Sequence, residues 1–381
     1  MEFGLTSEQE ALRTSTVDFA QSLKTMDLVH RDAAQVFDRE LWQQTAGFGL
    51  LGPFVSPDYG GRGLDLVSSV IMLEALGYGC ADNGHTLAVN AQLWAVHAPL
   101  VRFGSDEQKQ RYLPGLVAGT LLGADGITEI DAGSDAYSMK TIAEETTGGY
   151  RITGHKSYIT MAPMADFVIV FATTDPSLGR WGIDAFLVDT DSPGLVLGEN
   201  RAKMGLRTVP FGDIVLEDVF VTEDARLGPK GAGASIFNHV MNYERGFIFA
   251  SHVGAMQRQL EAAISYASTR EQFGEPIASF QSVSNRIVDM QMRLETSRLL
   301  LYRAAWLMDT GQDAQMAAAL AKLQISEAFV TSSIDSIRTH GGIGYLTEAG
   351  VERDLRDAIG GVLYGGTSDI QRRSIAHILG L

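Results

Sequence analysis

Several short stretches of this chain concentrate side chains able to do chemistry. In Met241-Asn242-Tyr243-Glu244-Arg245-Gly246 a carboxylate that can take a proton stands beside a guanidinium. Thr128 and Thr160 offer hydroxyls, and Tyr158 offers an aromatic face with a polar tip. Arg270 carries donors in a fixed fork, the geometry that suits a diphosphate. Near the end, Tyr364-Gly365-Gly366-Thr367-Ser368-Asp369 is a glycine turn flanked by hydroxyls and a carboxylate. Each group alone is a weak signal. A lone Thr or Tyr on a strand is most often structural, and an adjacent Glu–Arg pair on a helix is most often a solvated charge pair. Order and spacing carry more than any single residue.

The elements that must position these groups fall into three regions. Residues 1–118 read as helical. Thr6-Ser7-Glu8-Gln9-Glu10 offers overlapping capping boxes, which predicts a helix starting near Ser7. Pro53, Pro57-Asp58 and Gly60-Gly61-Arg62-Gly63 form a loop, and helical patterns resume at about 66–78 and 106–116. Residues 119–227 change period: Tyr150 to Thr160, Ala165 to Thr173, Asp184 to Asp189 and Asp213 to Leu216 are β-like runs separated by turn residues. Residues 228–381 return to helix. Phe280, Val283, Ile287, Met290 and Leu294 form one apolar stripe, and further helical stretches cover about 234–269 and 314–340. Such helices should pack as a bundle. The expected class is α+β: a helical domain, a small β domain, then a helical bundle.

Composition narrows the function. With 381 residues and 45% apolar content, the chain can bury substantial cores. Acidic residues outnumber basic ones, 46 against 30, which disfavours nucleic acid and anionic membrane surfaces as partners. A single cysteine, Cys80, allows no intrachain disulfide and no cysteine-rich metal centre, and no metal site is expected. The N-terminus shows no basic region followed by an apolar stretch, and apolar runs such as Phe167 to Ala172 are too short to span a bilayer. A cytoplasmic protein without membrane insertion is expected.

Seven blocks in order then become specific: Gly126-Ile127-Thr128-Glu129-Ile130-Asp131-Ala132-Gly133-Ser134-Asp135; Gly154-His155-Lys156-Ser157-Tyr158-Ile159-Thr160; Lys203-Met204-Gly205-Leu206-Arg207-Thr208; Thr269-Arg270-Glu271-Gln272-Phe273-Gly274, followed by Gln281; His340-Gly341-Gly342-Ile343-Gly344-Tyr345; Arg353-Asp354-Leu355-Arg356-Asp357; and Tyr364 to Arg372. Over nearly its whole length the chain resembles the acyl-CoA dehydrogenase family. That resemblance implies an N-terminal helical domain, a middle β domain and a C-terminal four-helix bundle, with FAD between the last two. It implies that Ile127, Thr128, Tyr158 and Thr160 hold and cover the flavin ring. Arg270, Phe273 and Gln281 would reach the FAD of a neighbouring subunit in a homo-oligomer, a tetramer by family habit, and Arg338, Gly341, Gly342, Thr367 and Asp369 would complete the cofactor site. The chain departs from the family pattern at Asp125, where an aromatic is usual, at Ile130, where proline is usual, and at Arg338, where glutamine is frequent.

The family's reaction takes the α-proton of a thioester onto a carboxylate while the β-hydrogen leaves as hydride to the flavin. The usual carboxylate is the Glu of a Tyr-Glu-Gly-Thr segment, which here is Tyr364-Gly365-Gly366-Thr367. Gly365 has no side chain to act as base, but its N–H can still bind the thioester carbonyl. Isovaleryl- and long-chain-type members carry the base on a helix immediately before an arginine, so the resemblance points to Glu244 as base. It makes Arg245, Ser134, Tyr364 and Gly366 substrate-binding candidates. The tether would be the pantetheine arm of CoA or of a carrier protein. Phe280 to Arg286 and Arg293 to Arg298 resemble a branch that oxidises acyl or aminoacyl groups on carrier proteins, prolyl groups among them. An electron-transfer flavoprotein or comparable acceptor would take the electrons. A flavin monooxygenase of the same fold, or a non-catalytic flavin-fold binding protein, is the alternative.

Overall fold

The computed structural model describes residues 4–23 and 27–381. Helices occupy the first part: α1 (Ser7–Ser22), α2 (Leu28–Ala34), α3 (Arg39–Gly47), α4 (Leu66–Gly79), α5 (Asn83–Ala91), α6 (Ala98–Phe103) and α7 (Asp106–Val117). The capping box at α1 forms, with Thr6 accepting from Gln9 N and the Gln9 side chain accepting from Thr6 N. Between α5 and α6 the chain makes a π-helical turn, Gln92–His97. Its wider spacing turns Gln92 onto the sheet, where the amide accepts from Gly123 N and donates to Gly123 O.

The middle region is an eight-stranded sheet: β1 (Gly123–Gly126), β2 (Ile142–Thr146), β3 (Gly149–Thr160), β4 (Phe167–Thr173), β5 (Ile183–Asp189), β6 (Leu195–Leu197), β7 (Phe211–Thr222) and β8 (Arg226–Leu227). The spatial order is β6-β7-β3-β2-β4-β5-β8, with β1 pairing parallel to β4. Alternation along β4 splits the core: Phe167, Ile169 and Phe171 face one apolar cluster, and Val168, Val170 and Ala172 the other.

The C-terminal region holds α8 (Gly233–Phe247), α9 (Ala250–Thr269), a small hairpin β9 (Glu271–Gln272) and β10 (Glu275–Pro276), then α10 (Gln281–Asp309), α11 (Gln315–His340), α12 (Val351–Gly361) and α13 (Ser368–Ile378). The single helical stretch expected over 234–269 is two helices, broken at Ile248-Phe249. No described helix is long and apolar enough to cross a membrane.

Several devices bind the first region to the third, two of them at α4. Helices α4 and α9 cross at glycines: a Cβ on Gly77 would lie 1.9 Å from Ser251 O, and one on Gly254 would lie 1.9 Å from Glu74 O. Only the missing side chains let these backbones approach so closely. Asp309, at the end of α10, caps α4 by accepting from Leu66 N and Val67 N, each at 2.9 Å. The arginines of α10 also have structural partners. Arg293 meets Asp335 at 2.6 Å and Arg298 meets Glu74 at 2.7 Å, so the segment that carries the carrier-protein likeness holds helices together.

Candidate active site

Four elements converge on one site: the end of β1 with the loop after it, the bulged end of β3, the last turns of α8, and the Tyr364 segment between α12 and α13. Helix α8 lies against the β4 face that carries Phe167, Ile169 and Phe171, burying Ile236 and Val240 there. Glu244 and Arg245 sit one turn further along. Glu244 is only partly exposed, and burial pushes its carboxyl up to about 7, with the Arg245 charge opposing. Arg245 Nε is buried without a hydrogen-bond partner. The loop that carries Ser134, itself exposed, is tied to α8 by Tyr137, whose hydroxyl meets Asn238 Oδ1 at 3.1 Å.

The break between α8 and α9 places Phe249 under Tyr364. Their rings stack at 5.2 Å with planes 3° apart, and Lys322 Nζ lies 5.5 Å above the Phe249 ring while donating to Gly361 O at 2.9 Å. Burial and the neighbouring Asp357 and Glu244 carboxylates hold the Tyr364 hydroxyl far above its usual range, so it stays protonated. Glu244 thus lies near enough to Tyr364 for its charge to act on the hydroxyl. Gly365 follows with φ +63 and Gly366 with φ +79, the left-handed region that favours glycine. The Gly365 N–H takes no backbone hydrogen bond among the described residues and is free for a ligand. Thr367 caps α13 through Ile370 N, and Asp369 is exposed beside Arg372.

On the sheet side, β3 carries an extra residue between Lys156 and Ile159 relative to β7, a β-bulge. Tyr158 sits in the bulge with φ +64, an uncommon conformation for a residue with a Cβ. The bulge buries Ser157, turns Tyr158 outward to 45% exposure, and sends Ser157 N to Thr128 O at 2.8 Å. The Ser157–Thr128 bond thereby sets the Thr128 backbone beside the bulge that carries Tyr158, with Thr160 two residues further along β3. Ile127 packs its side chain into the core and offers only its main chain here. A buried ion pair locks the arrangement. Lys156 Nζ reaches Glu129 Oε1 at 2.9 Å and Ile127 O at 3.2 Å, while Glu129 also accepts from Thr141 and from Lys140 N. Burial alone would raise the Glu129 carboxyl, but Lys156 and these donors outweigh it and hold it at about 2. Burial pulls Lys156 down to about 8 against the pull of Glu129.

The other candidates lie at the surface. Arg270 and Gln281 are exposed, and Phe273, in the hairpin with φ +55, is 96% exposed. Arg338 is exposed near Asp335, and Gly341 and Gly342 follow the end of α11 without neighbours near their absent Cβ positions. Sequence reasoning did not place Lys156, Glu129, Lys322 or Phe249 among the functional residues. The first two lay inside recognised blocks, and their pairing was the missed signal: two opposite charges flanking a core stretch.

Three family models match the chain: the acyl-CoA dehydrogenase N-terminal domain over residues 6–120, the middle domain over 124–219 and the C-terminal domain over 231–380. The chain belongs to the acyl-CoA dehydrogenase family. It is 43% identical to an L-prolyl-[peptidyl-carrier protein] dehydrogenase from a Serratia species, over all of this chain and 99% of the other. The solved prolyl acyl carrier protein oxidase AnaB superposes with a TM-score of 0.98 at 44% identity, over 99% of this chain and 100% of AnaB. PigA, solved with FAD and proline, superposes with a TM-score of 0.98 at 42% identity over the full length of both chains.

Proposed function

We propose that this protein removes two hydrogens from adjacent carbons of a prolyl group held as a thioester on a carrier protein. FAD is the cofactor. The observation that carries the reaction is the pairing of Glu244 with the Tyr364–Gly366 turn: a carboxylate raised by burial to about 7 whose charge acts on Tyr364, the residue before a free backbone N–H. The choice of a prolyl group on a carrier protein rests on the two prolyl-carrier relatives and on PigA.

The residues fit FAD. Thr128, Tyr158 and Thr160 form a hydroxyl-and-aromatic face held by the bulge and the Lys156–Glu129 pair. Arg270, Phe273 and Gln281 are an exposed fork, ring and amide, suited to reach the FAD of a second copy in a homo-oligomer, a tetramer in this reading. Arg338, Gly341, Gly342, Thr367 and Asp369 complete the cofactor contacts in this reading. FAD, when bound, accepts the hydride that leaves the β-carbon.

The chain's own residues do the rest. Glu244 takes the α-proton. Gly365 N–H binds the thioester oxygen as it gains enolate charge, and Gly366 and Tyr364 wall the carbonyl side. Ser134 and Arg245 hold the pantetheine arm. The Tyr364–Phe249 stack excludes water. An electron-transfer flavoprotein or comparable acceptor takes the electrons away.

The test is anaerobic mixing of the yellow holoenzyme with L-prolyl carrier protein. Flavin absorbance should bleach within one turnover, and a product two mass units lighter should remain on the carrier. A prolyl carrier protein that leaves the flavin oxidised sinks the reading. The pH dependence has a fixed sign: Glu244 must be ionised to act. The second-order rate of flavin reduction should rise about tenfold per pH unit below 7 and level off above it. A flat profile between pH 5.5 and 8 would contradict Glu244 as the base.

A further inference from the structure

A second carboxylate lies within electrostatic reach of Glu244, and the reaction described above does not use it. Asp125 lies on β1 opposite Ile169 of β4, so its side chain points to the sheet face that α8 covers. Its Oδ1 is sealed from solvent and has no hydrogen-bond partner. The charges that act on it are Glu244 on α8 and Lys156 on β3. Lys156 is already engaged: its Nζ donates to Glu129 and Ile127 O and touches Met139 Sδ. Burial, reinforced by the Glu244 charge, holds the Asp125 carboxyl well above the usual range, and Lys156 only partly offsets this. Two acids without hydrogen-bond partners thus lie within electrostatic reach of each other and shielded from solvent, an arrangement that is costly unless a ligand supplies the missing positive charge or donor.

We infer that Asp125 is the specificity-determining residue for a basic nitrogen on the acyl group, its carboxyl pairing with an amine attached to the α-carbon while Glu244 takes the hydrogen from that same carbon. This rests on the function proposed above and names the feature of the substrate that the pocket reads. An amine and a carboxyl brought together share one proton, either as ammonium with carboxylate or as amine with carboxylic acid. The amine–Asp125 pair therefore carries no net charge whichever partner holds the proton, leaving Glu244 as the charged base. A simple hydrocarbon acyl group would leave Oδ1 unmatched. The amine also restrains the α-carbon between the two carboxyl groups, which fixes which C–H bond faces Glu244.

The test compares L-prolyl-S-pantetheine with cyclopentanecarbonyl-S-pantetheine. The latter has the same ring size and the same α-hydrogen, with a second β-CH2 in place of NH. Anaerobic flavin reduction by wild-type holoenzyme should favour the prolyl thioester, and in Asp125→Asn that preference should fall at least tenfold. A preference unchanged in Asp125→Asn, or a parallel loss for both thioesters, overturns the inference. A second measurement does not depend on folding of that variant or on turnover. Holoenzyme carrying Glu244→Gln, titrated with both thioesters by calorimetry, should bind the prolyl compound at least tenfold more tightly. Equal affinities overturn the inference. If neither thioester nor prolyl carrier protein bleaches the wild-type flavin, the proposed function fails, and the calorimetric preference still judges Asp125 separately.

Discussion

Glu244→Gln is expected to keep its FAD and its yellow colour while losing flavin reduction by about a thousandfold or more. Removal of a positioned general base typically sacrifices about 10²–10⁴ in rate, and among the described residues none is an evident substitute: burial holds the Asp125 carboxyl well above the usual range and Gly365 has no side chain. The amide preserves shape, so cofactor content should not change. Stopped-flow absorbance after anaerobic mixing measures the loss, and reduction within tenfold of wild type would remove Glu244 from the role. The same variant carries a stability signature of opposite sign. Glu244 titrates near 7 in the folded chain against 4.5 for an ordinary glutamate, so the folded state binds its proton more tightly than the unfolded state. The stabilisation tied to that proton is complete below about pH 4.5 and lost as pH rises through 7, at most about 3 kcal/mol. Glu244→Gln lacks this term. Its melting temperature minus that of wild type should therefore climb between pH 5 and pH 8, and a signed difference that stays constant or falls would contradict the burial of this charge.

The second large effect is on the fold that supports the flavin face. Glu129→Gln leaves the fully buried Lys156 ammonium without its counter-charge, and breaking a buried pair this way costs about 3–5 kcal/mol. A loss of that size lowers the melting temperature of a chain this long by roughly 5 °C. Because Lys156 also holds Ile127 O, and Ser157 N holds Thr128 O, FAD affinity should fall together with stability. Replacing both partners with apolar residues, Glu129→Leu with Lys156→Met, should recover much of the stability. Calorimetric melts of the two variants check this. A single variant as stable as wild type would show the pair to be dispensable.

Much of this architecture was legible in the sequence. The change of period near residue 119 and again near 228 separated helices from strands, and the capping box at Thr6 marked a helix start that the structure shows. Glu244 was singled out through the resemblance to members that carry their base on this helix before an arginine, together with the glycine at 365. What escaped depends on distant or backbone events. Nothing in Lys156-Ser157-Tyr158-Ile159 announces a bulge, since tyrosine at positive φ is set by the strand it pairs with. Beyond the local N-cap Asp65, α4 is capped a second time by Asp309, 243 residues from Leu66 in the chain. The break at Ile248-Phe249 contains no proline or glycine, so the run from 234 to 269 read as one helix. Asp125 was visible only as an unusual residue type, and its significance required knowing which sheet face it takes and what that face looks onto.

The Gln92 side chain has a consequence of another kind. Strand β1 pairs with β4 along one side only, and on its open side the N–H and C=O of Gly123 are taken by that single amide. A glutamine from the helical region thus imitates a neighbouring strand. Excised alone, the sheet would expose the very edge that recruits strands from other molecules. The three regions are therefore poor candidates for separate expression or for exchange between homologues at residue 119 unless Gln92 travels with β1. In evolutionary terms, this junction ties the helical region to the sheet and favours their inheritance as one piece.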